Sequence, residues 1–207
     1  MLSASVVAQS LLQPFEVESP ASAWQAPDLA DLPSDWWSRL NAGTDEEVNQ
    51  QIDQFVVALE QRVAGLVGED LQTAQNGISH IKSTFELLIL ARQGTAHPKF
   101  DPPLAKDSYF LDDVLVLRAQ TRDLDVQAAQ VNLQIEQAQS QTRLLQERGD
   151  KLVSEYASQD TEAPARMLVG IKRVTARVEY ELLQERIVQA RSFLKDIGAQ
   201  RQLVDGQ

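Results

Sequence analysis

The chain contains no cysteine, which removes disulfides, thiolate nucleophiles and cysteine-based zinc sites together. Glycine and proline are sparse, at 9 and 8 of 207 residues, and aromatic side chains make up only 6%. A β-sandwich needs more turns and more β-branched and aromatic residues than this, so the composition points to helices. Long apolar runs are missing too. The longest, Phe85–Ala91, is interrupted by Glu86 and falls far short of the roughly 20 residues that cross a bilayer. Positive charge is in deficit: 19 basic against 30 acidic residues give a net charge of −11. Such a chain is repelled by phosphate backbones and anionic headgroups, so neither nucleic-acid binding nor passive membrane adhesion is expected. At 43% hydrophobic residues, a core for one large or two small domains is nevertheless present.

Catalytic and cofactor-binding constellations are also missing. His80 and His97 lie far apart, and neither has a second histidine three or four residues away, so no zinc site is expected. No phosphate-cradling glycine loop and no G-x-S-x-G occurs. The carboxylate pairs Glu46-Glu47 and Asp112-Asp113 fall at predicted helix starts, where the helix dipole accounts for them. Ferritin-like E-x-x-H repeats are absent. The expectation is a non-catalytic chain without cofactor or metal.

What is present falls into four parts. Residues 1–33 read as an extended lead, with Pro14, Pro20, Pro27 and Pro33 at near-regular intervals, a density that helices do not survive. At its start, Val6 and Ala8 before Gln9 resemble the small residues ahead of a signal-peptidase cut, but the basic and most of the apolar parts of a signal are missing. Two readings follow: the remnant of a secretory signal, or an ordinary N-terminus. The lead is expected to be flexible or to hug the surface.

Residues 34–94 read as short helices packed into a small bundle. Pro33 and Ser34 start a short helix carrying Trp36 and Trp37. Adjacent residues on a helix point about 100° apart, so the two indoles are expected to close one end of a bundle or to serve as a partner-docking anchor. Thr44 and Glu47 form a capping box. After it, Val48, Ile52, Phe55, Val56, Leu59, Val63 and Leu66 mark one helical face, and Leu71, Ala74, Ile78, Ile81, Phe85 and Leu88 a second. Near Val67-Gly68 the spacing fits either two helices or one kinked helix. Residues 95–107 form a proline-rich linker.

Residues 108–203 read as a long antiparallel coiled-coil hairpin. From Phe110 to Tyr156, fourteen positions recur in alternating steps of four and three without a slip, and eleven are apolar, among them Val114, Leu117, Leu124, Val131, Ile135, Leu145 and Leu152; Thr121, Thr142 and Gly149 are the exceptions. That is a coiled-coil seam. Ser108 is the expected cap. The Gln-rich stretch between Gln120 and Gln146 lies outside the seam and reads as a solvated face. A turn at 159–164 follows, with Asp160 or Thr161 as cap and Pro164 in the first helical turn. The return helix has its seam at Ala176, Tyr180, Leu183, Ile187, Ala190, Leu194 and Ile197. Upstream, Met167, Ile171, Val174 and Val178 run in a shifted phase, which reads as a stutter near 178–183. So short a turn makes the helices antiparallel. Their charges agree: residues 108–158 carry −3 and residues 164–203 carry +4, which favours this pairing over like with like.

The lead, the Pro-Ser-Asp-Trp-Trp helix, the helical pair, the Pro-rich linker and the hairpin return Asp160-Thr161-Glu162-Ala163-Pro164-Ala165-Arg166-Met167-Leu168 together resemble the periplasmic N-terminal extension of larger MscS-like mechanosensitive channels. The resemblance spans nearly the whole chain, but the sequence has no pore helix, transmembrane helix or cytoplasmic vestibule. It implies a non-catalytic periplasmic helical scaffold that self-associates or meets a membrane channel domain; a cytoplasmic location is the alternative. A second reading is a hairpin adaptor of an envelope transport or secretion complex, docking a partner at its tip. The candidate partner contacts are Trp36, Trp37, Gln159 and Glu162.

Overall fold

A computed structural model describes residues 24–94, 110–161 and 163–206. Among them the chain is all-α, with five helices: α1 (Trp36–Leu40), α2 (Asp45–Val63), α3 (Gly68–Gln93), α4 (Leu111–Ser158) and α5 (Pro164–Asp205). No helix among these residues is long and apolar enough to cross a membrane.

The capping box opens α2 as expected: the Thr44 N–H donates to Glu47 Oε2 at 2.7 Å, and the Glu47 N–H donates to Thr44 Oγ1. The ambiguity at residues 64–67 resolves into two helices. For α4, the N-cap position is held by Phe110, whose N–H donates to Asp113; Ser108 lies outside the described residues. At the hairpin turn neither Asp160 nor Thr161 is the cap. Ala163 occupies that position with Pro164 behind it, and no side chain caps the helix. The first orphan N–H is absent by chemistry at proline, so less capping is needed there.

The seam of α4 lies where the heptads put it. Leu124, Val131, Ile135, Thr142, Leu152 and Tyr156 are buried and the intervening seam residues half-buried. At its start the seam opens to solvent, with Phe110 75% exposed. On α5 the expected stutter is replaced by something else. The helix is unbroken, and its two rows are two faces: at about 100° per residue, Ile171, Val174 and Val178 lie on roughly the opposite side from Ala176, Tyr180 and Leu183. One face meets α4 and the other meets α3. The α3 approach is close at Gly77, where a Cβ would stand 2.5 Å from Ile171 Cγ2.

Because α3 packs on α5, the expected boundary between a small bundle at 34–94 and the hairpin does not divide the core. One cluster joins Leu29 and Leu32 of the lead, the helices α1, α2 and α3, Leu152 and Tyr156 of α4, and α5 from Val169 to Leu182. Phe55 and Phe85 are fully buried in it, each worth about 1.5–3 kcal/mol of transfer free energy. A second, smaller cluster holds the rest of the hairpin: Leu124, Val131 and Ile135 against Ile187, Ile197 and Val204. The molecule is thus a five-helix head built around the hairpin turn, and a two-helix arm.

Candidate functional site

The turn end of the hairpin carries the densest polar arrangement among the described residues. It is organised by the lead segment, which was expected to be flexible or surface-hugging. Residues 24–33 form no helix, yet Leu29, Ala30 and Leu32 are buried. Tyr156, the last seam residue of α4, holds them. Its hydroxyl donates to the Leu29 carbonyl at 2.8 Å and accepts from the Leu32 N–H at 2.9 Å. Arg166, one turn into α5, donates from Nε to the Ala30 carbonyl at 2.8 Å and from Nη1 to the Gln159 carbonyl at 2.8 Å. Arg173, two turns further along α5, reaches the Leu32 carbonyl. Both guanidinium groups lie over the Tyr156 ring, at 4.2 and 4.6 Å from its centroid, a favourable cation–π geometry. Burial pushes the Arg173 guanidinium below its ordinary pKa; the Tyr156 hydroxyl opposes this and the charge of Arg166 adds to it.

The lead is therefore a strap. A buried backbone without a ladder partner has to bond side chains or water, and here Tyr156, Arg166 and Arg173 supply the bonds. Gly170 lets the strap sit down on α5, since a Cβ there would come within 3.0 Å of the Leu29 carbonyl oxygen. This arrangement joins backbone to side chain over long sequence separations, and its polar groups are occupied by the protein's own main chain.

Of the four candidate contact residues, Trp36 and Trp37 are only 4% and 6% exposed, so they pack the core and leave no exposed docking anchor. The 100° between them directs each indole to a different helix. Trp36 stacks on Phe55 of α2 at 5.5 Å, Trp37 on Phe85 of α3 at 6.3 Å, and the two indoles meet edge to face at 5.6 Å. Arg177 of α5 lies over the Trp37 ring. Gln159 is half-buried at the end of α4, its carbonyl held by Arg166. Glu162 lies outside the described residues. The structure thus gathers Trp36 and Trp37 in one place and leaves Gln159 at another.

His80 pairs with Glu179 at 2.7 Å, linking α3 to α5. Gln189 donates to the Ala91 carbonyl near the end of α3. Beyond that point, among the described residues, the hairpin continues as α4 and α5 alone. There a groove of about 560 Å³ runs between the two helices, floored by Val131, Ile135 and Ile187 and rimmed by Gln127, Gln134 and Gln141. The glutamine row of α4 is its rim, consistent with a solvated face. Across the arm Arg201 pairs with Asp125 at 2.7 Å. Both side chains are about half exposed, so the pair adds little stability.

Comparison with known protein families, with characterised proteins and with solved structures gives no match to this chain.

Sequence reasoning missed Tyr156, Arg166 and Arg173 as a group. Tyr156 was visible only as the end of a heptad row, and the two arginines only as part of the positive charge of α5. Their spacing of seven residues, placing both on one face beside the turn, was the available signal.

Proposed function

We propose that the chain is a non-catalytic helical scaffold of the bacterial envelope, comparable to the periplasmic extension of an MscS-like channel and acting through the reach and stiffness of its hairpin. The observation that supports this reading is the division of one hairpin, among the described residues, into a braced head and an arm of two helices. The head fixes one end of α4 and α5 with three further helices and the strap. The arm projects both helices beyond it. From Leu111 to Ser158, α4 spans roughly 70 Å at about 1.5 Å per residue. A rigid base with a projecting arm is a geometry for holding other parts at a distance.

The alternative, an adaptor docking at its hairpin turn, has less support. The turn is where the strap binds, and the Gln159 carbonyl there is engaged by Arg166. In the scaffold reading the far end of the arm, where Phe110, Leu111 and Leu203 are exposed, meets the membrane-channel partner.

The test is site-specific photocrosslinking in the native organism, with probes at Leu111 in the arm and at Gln159 in the turn. Crosslinks from Leu111 to a membrane-channel subunit support the scaffold. Crosslinks from Gln159 alone, to an envelope transport component, support the adaptor and overturn the scaffold.

A further inference from the structure

Most exposed aliphatic side chains on a protein surface are scattered and need no explanation. Four of those on α4 share one face. Leu115, Val126, Leu133 and Leu144 are 55%, 59%, 54% and 59% exposed, and they are spaced 11, 7 and 11 residues apart. At about 100° per residue, all four fall within about 20° of one another, on the side of the helix opposite the seam. They form a row of aliphatics roughly 43 Å long at about 1.5 Å per residue, interleaved with Ala119, Arg122, Gln137 and Ser140. The row stops at Leu144. Past that point the same face carries Lys151 and Glu155, both exposed.

The spacing is a palindrome about the midpoint between Ala129 and Gln130. Reversing the helix places Leu115 on Leu144 and Val126 on Leu133, with the small residues Ala119 and Ser140 also exchanged. Two copies of α4 laid antiparallel thus bring each large aliphatic onto another, by the self-complementarity that a two-fold interface requires. Two pairs of opposite charge beside the row fall within one residue of the same symmetry and outnumber the one like pair, Arg118 with the partner copy's Arg143. On one flank Arg122 comes opposite the partner copy's Glu136; on the other, Asp112 comes opposite the partner copy's Arg148. The axis repeats each pair, giving four cross-pairs of opposite sign. All four side chains are exposed in the single chain, and none is in an ion pair among the described residues.

We infer that the outer face of α4 is the interface of an antiparallel homodimer, in which Leu115 packs on the partner's Leu144 and Val126 on the partner's Leu133. The occupant is a second copy of this chain. The face starts at the far end of the arm and runs along α4, but the dimer is read from the purified chain alone, so it can fail without the scaffold reading failing.

One helix face buries less than a standard interface, which puts the expected affinity in the micromolar range. Sedimentation equilibrium of the purified chain from about 5 µM to about 500 µM is expected to show a monomer–dimer transition. Leu133→Glu is expected to remain monomeric throughout with unchanged far-UV circular dichroism, because Leu133 is exposed and outside the core. Arg122→Glu weakens the dimer, and adding Glu136→Arg restores it. The absence of cysteine allows a test of direction. A mixture of Leu115→Cys and Leu144→Cys chains forms a disulfide dimer on mild oxidation, while neither chain alone does. A native chain monomeric at every concentration, a Leu133→Glu dimer as strong as the native one, or a Leu115→Cys chain that crosslinks to itself overturns the proposal.

Discussion

The two halves of the hairpin are built from the same repeat but are stabilised differently. In the head, α5 is buried on two opposite sides, by α4 and by α3. In the arm, among the described residues, only the α4 side is covered. Seven of the ten buried residues of α5 fall between Val169 and Leu182, and only Ile187, Ile197 and Val204 serve the rest of the helix. A coiled-coil seam gives a helix pair its register. It is the second neighbour that gives the head its depth, because a long two-helix pair leaves most of each helix in water.

The largest expected effect tests whether head and arm are separable. Val174→Asp places an unpaired charge at a fully buried site between α3 and α5, a cost of several kcal/mol, and is expected to abolish the thermal transition of the whole chain. Leu124→Asp or Ile135→Asp makes the same insult in the arm. Hydrogen exchange is expected to show the arm amides of those variants unprotected and the head amides still protected. Loss of both together would mean that the halves are one cooperative unit.

A smaller effect is expected at the strap. Tyr156→Phe removes one hydroxyl and leaves the buried Leu29 carbonyl and Leu32 N–H without it, at a cost of about 1–3 kcal/mol by chemical denaturation. Two glycines differ in sign. Gly77→Ala forces α3 away from Ile171 and is expected to destabilise by about 1–3 kcal/mol. Gly149→Ala, where a Cβ meets nothing within 4 Å, is expected to stabilise α4 by up to about 1 kcal/mol.

The pH response also belongs to the head. Burial raises the Glu181 carboxyl above its ordinary 4.5, against the pull of Arg177 and Arg92. The folded state then binds that proton more tightly than the unfolded state. The stability this confers is complete below about pH 4.5 and is lost as pH rises through the folded pKa. Glu181→Gln is expected to flatten that descent in denaturation curves taken across the range. The smallest effect is expected on the glutamine rim of the arm, where Gln134→Ala and Gln137→Ala change stability by no more than about 0.5 kcal/mol.

The contrast also explains which parts of the fold could be read in advance. The arm was legible because its structure is its repeat: the row from Leu117 to Leu152 is the buried row. The head was legible only in pieces. Ile171, Val174 and Val178 broke the phase of α5 because they answer to α3, and a one-dimensional pattern shows a second neighbour only as an irregularity. Trp36 and Trp37 gave a signal of importance without a direction. The strap gave none. Its hydrogen bonds go from main chain to side chains more than a hundred residues away, and that leaves no periodicity to detect.

That distance has a consequence for synthesis. The strap bonds Tyr156 and Arg166 across sequence separations of 124 to 136 residues. Leu29 and Leu32 emerge from the ribosome early, yet their seat does not exist until the hairpin has turned. At about 5–20 residues per second, they wait on the order of 10 s with their apolar surface uncovered. The head is therefore closed late, by residues made more than a hundred positions before their seat, and until then Leu29 and Leu32 stay uncovered.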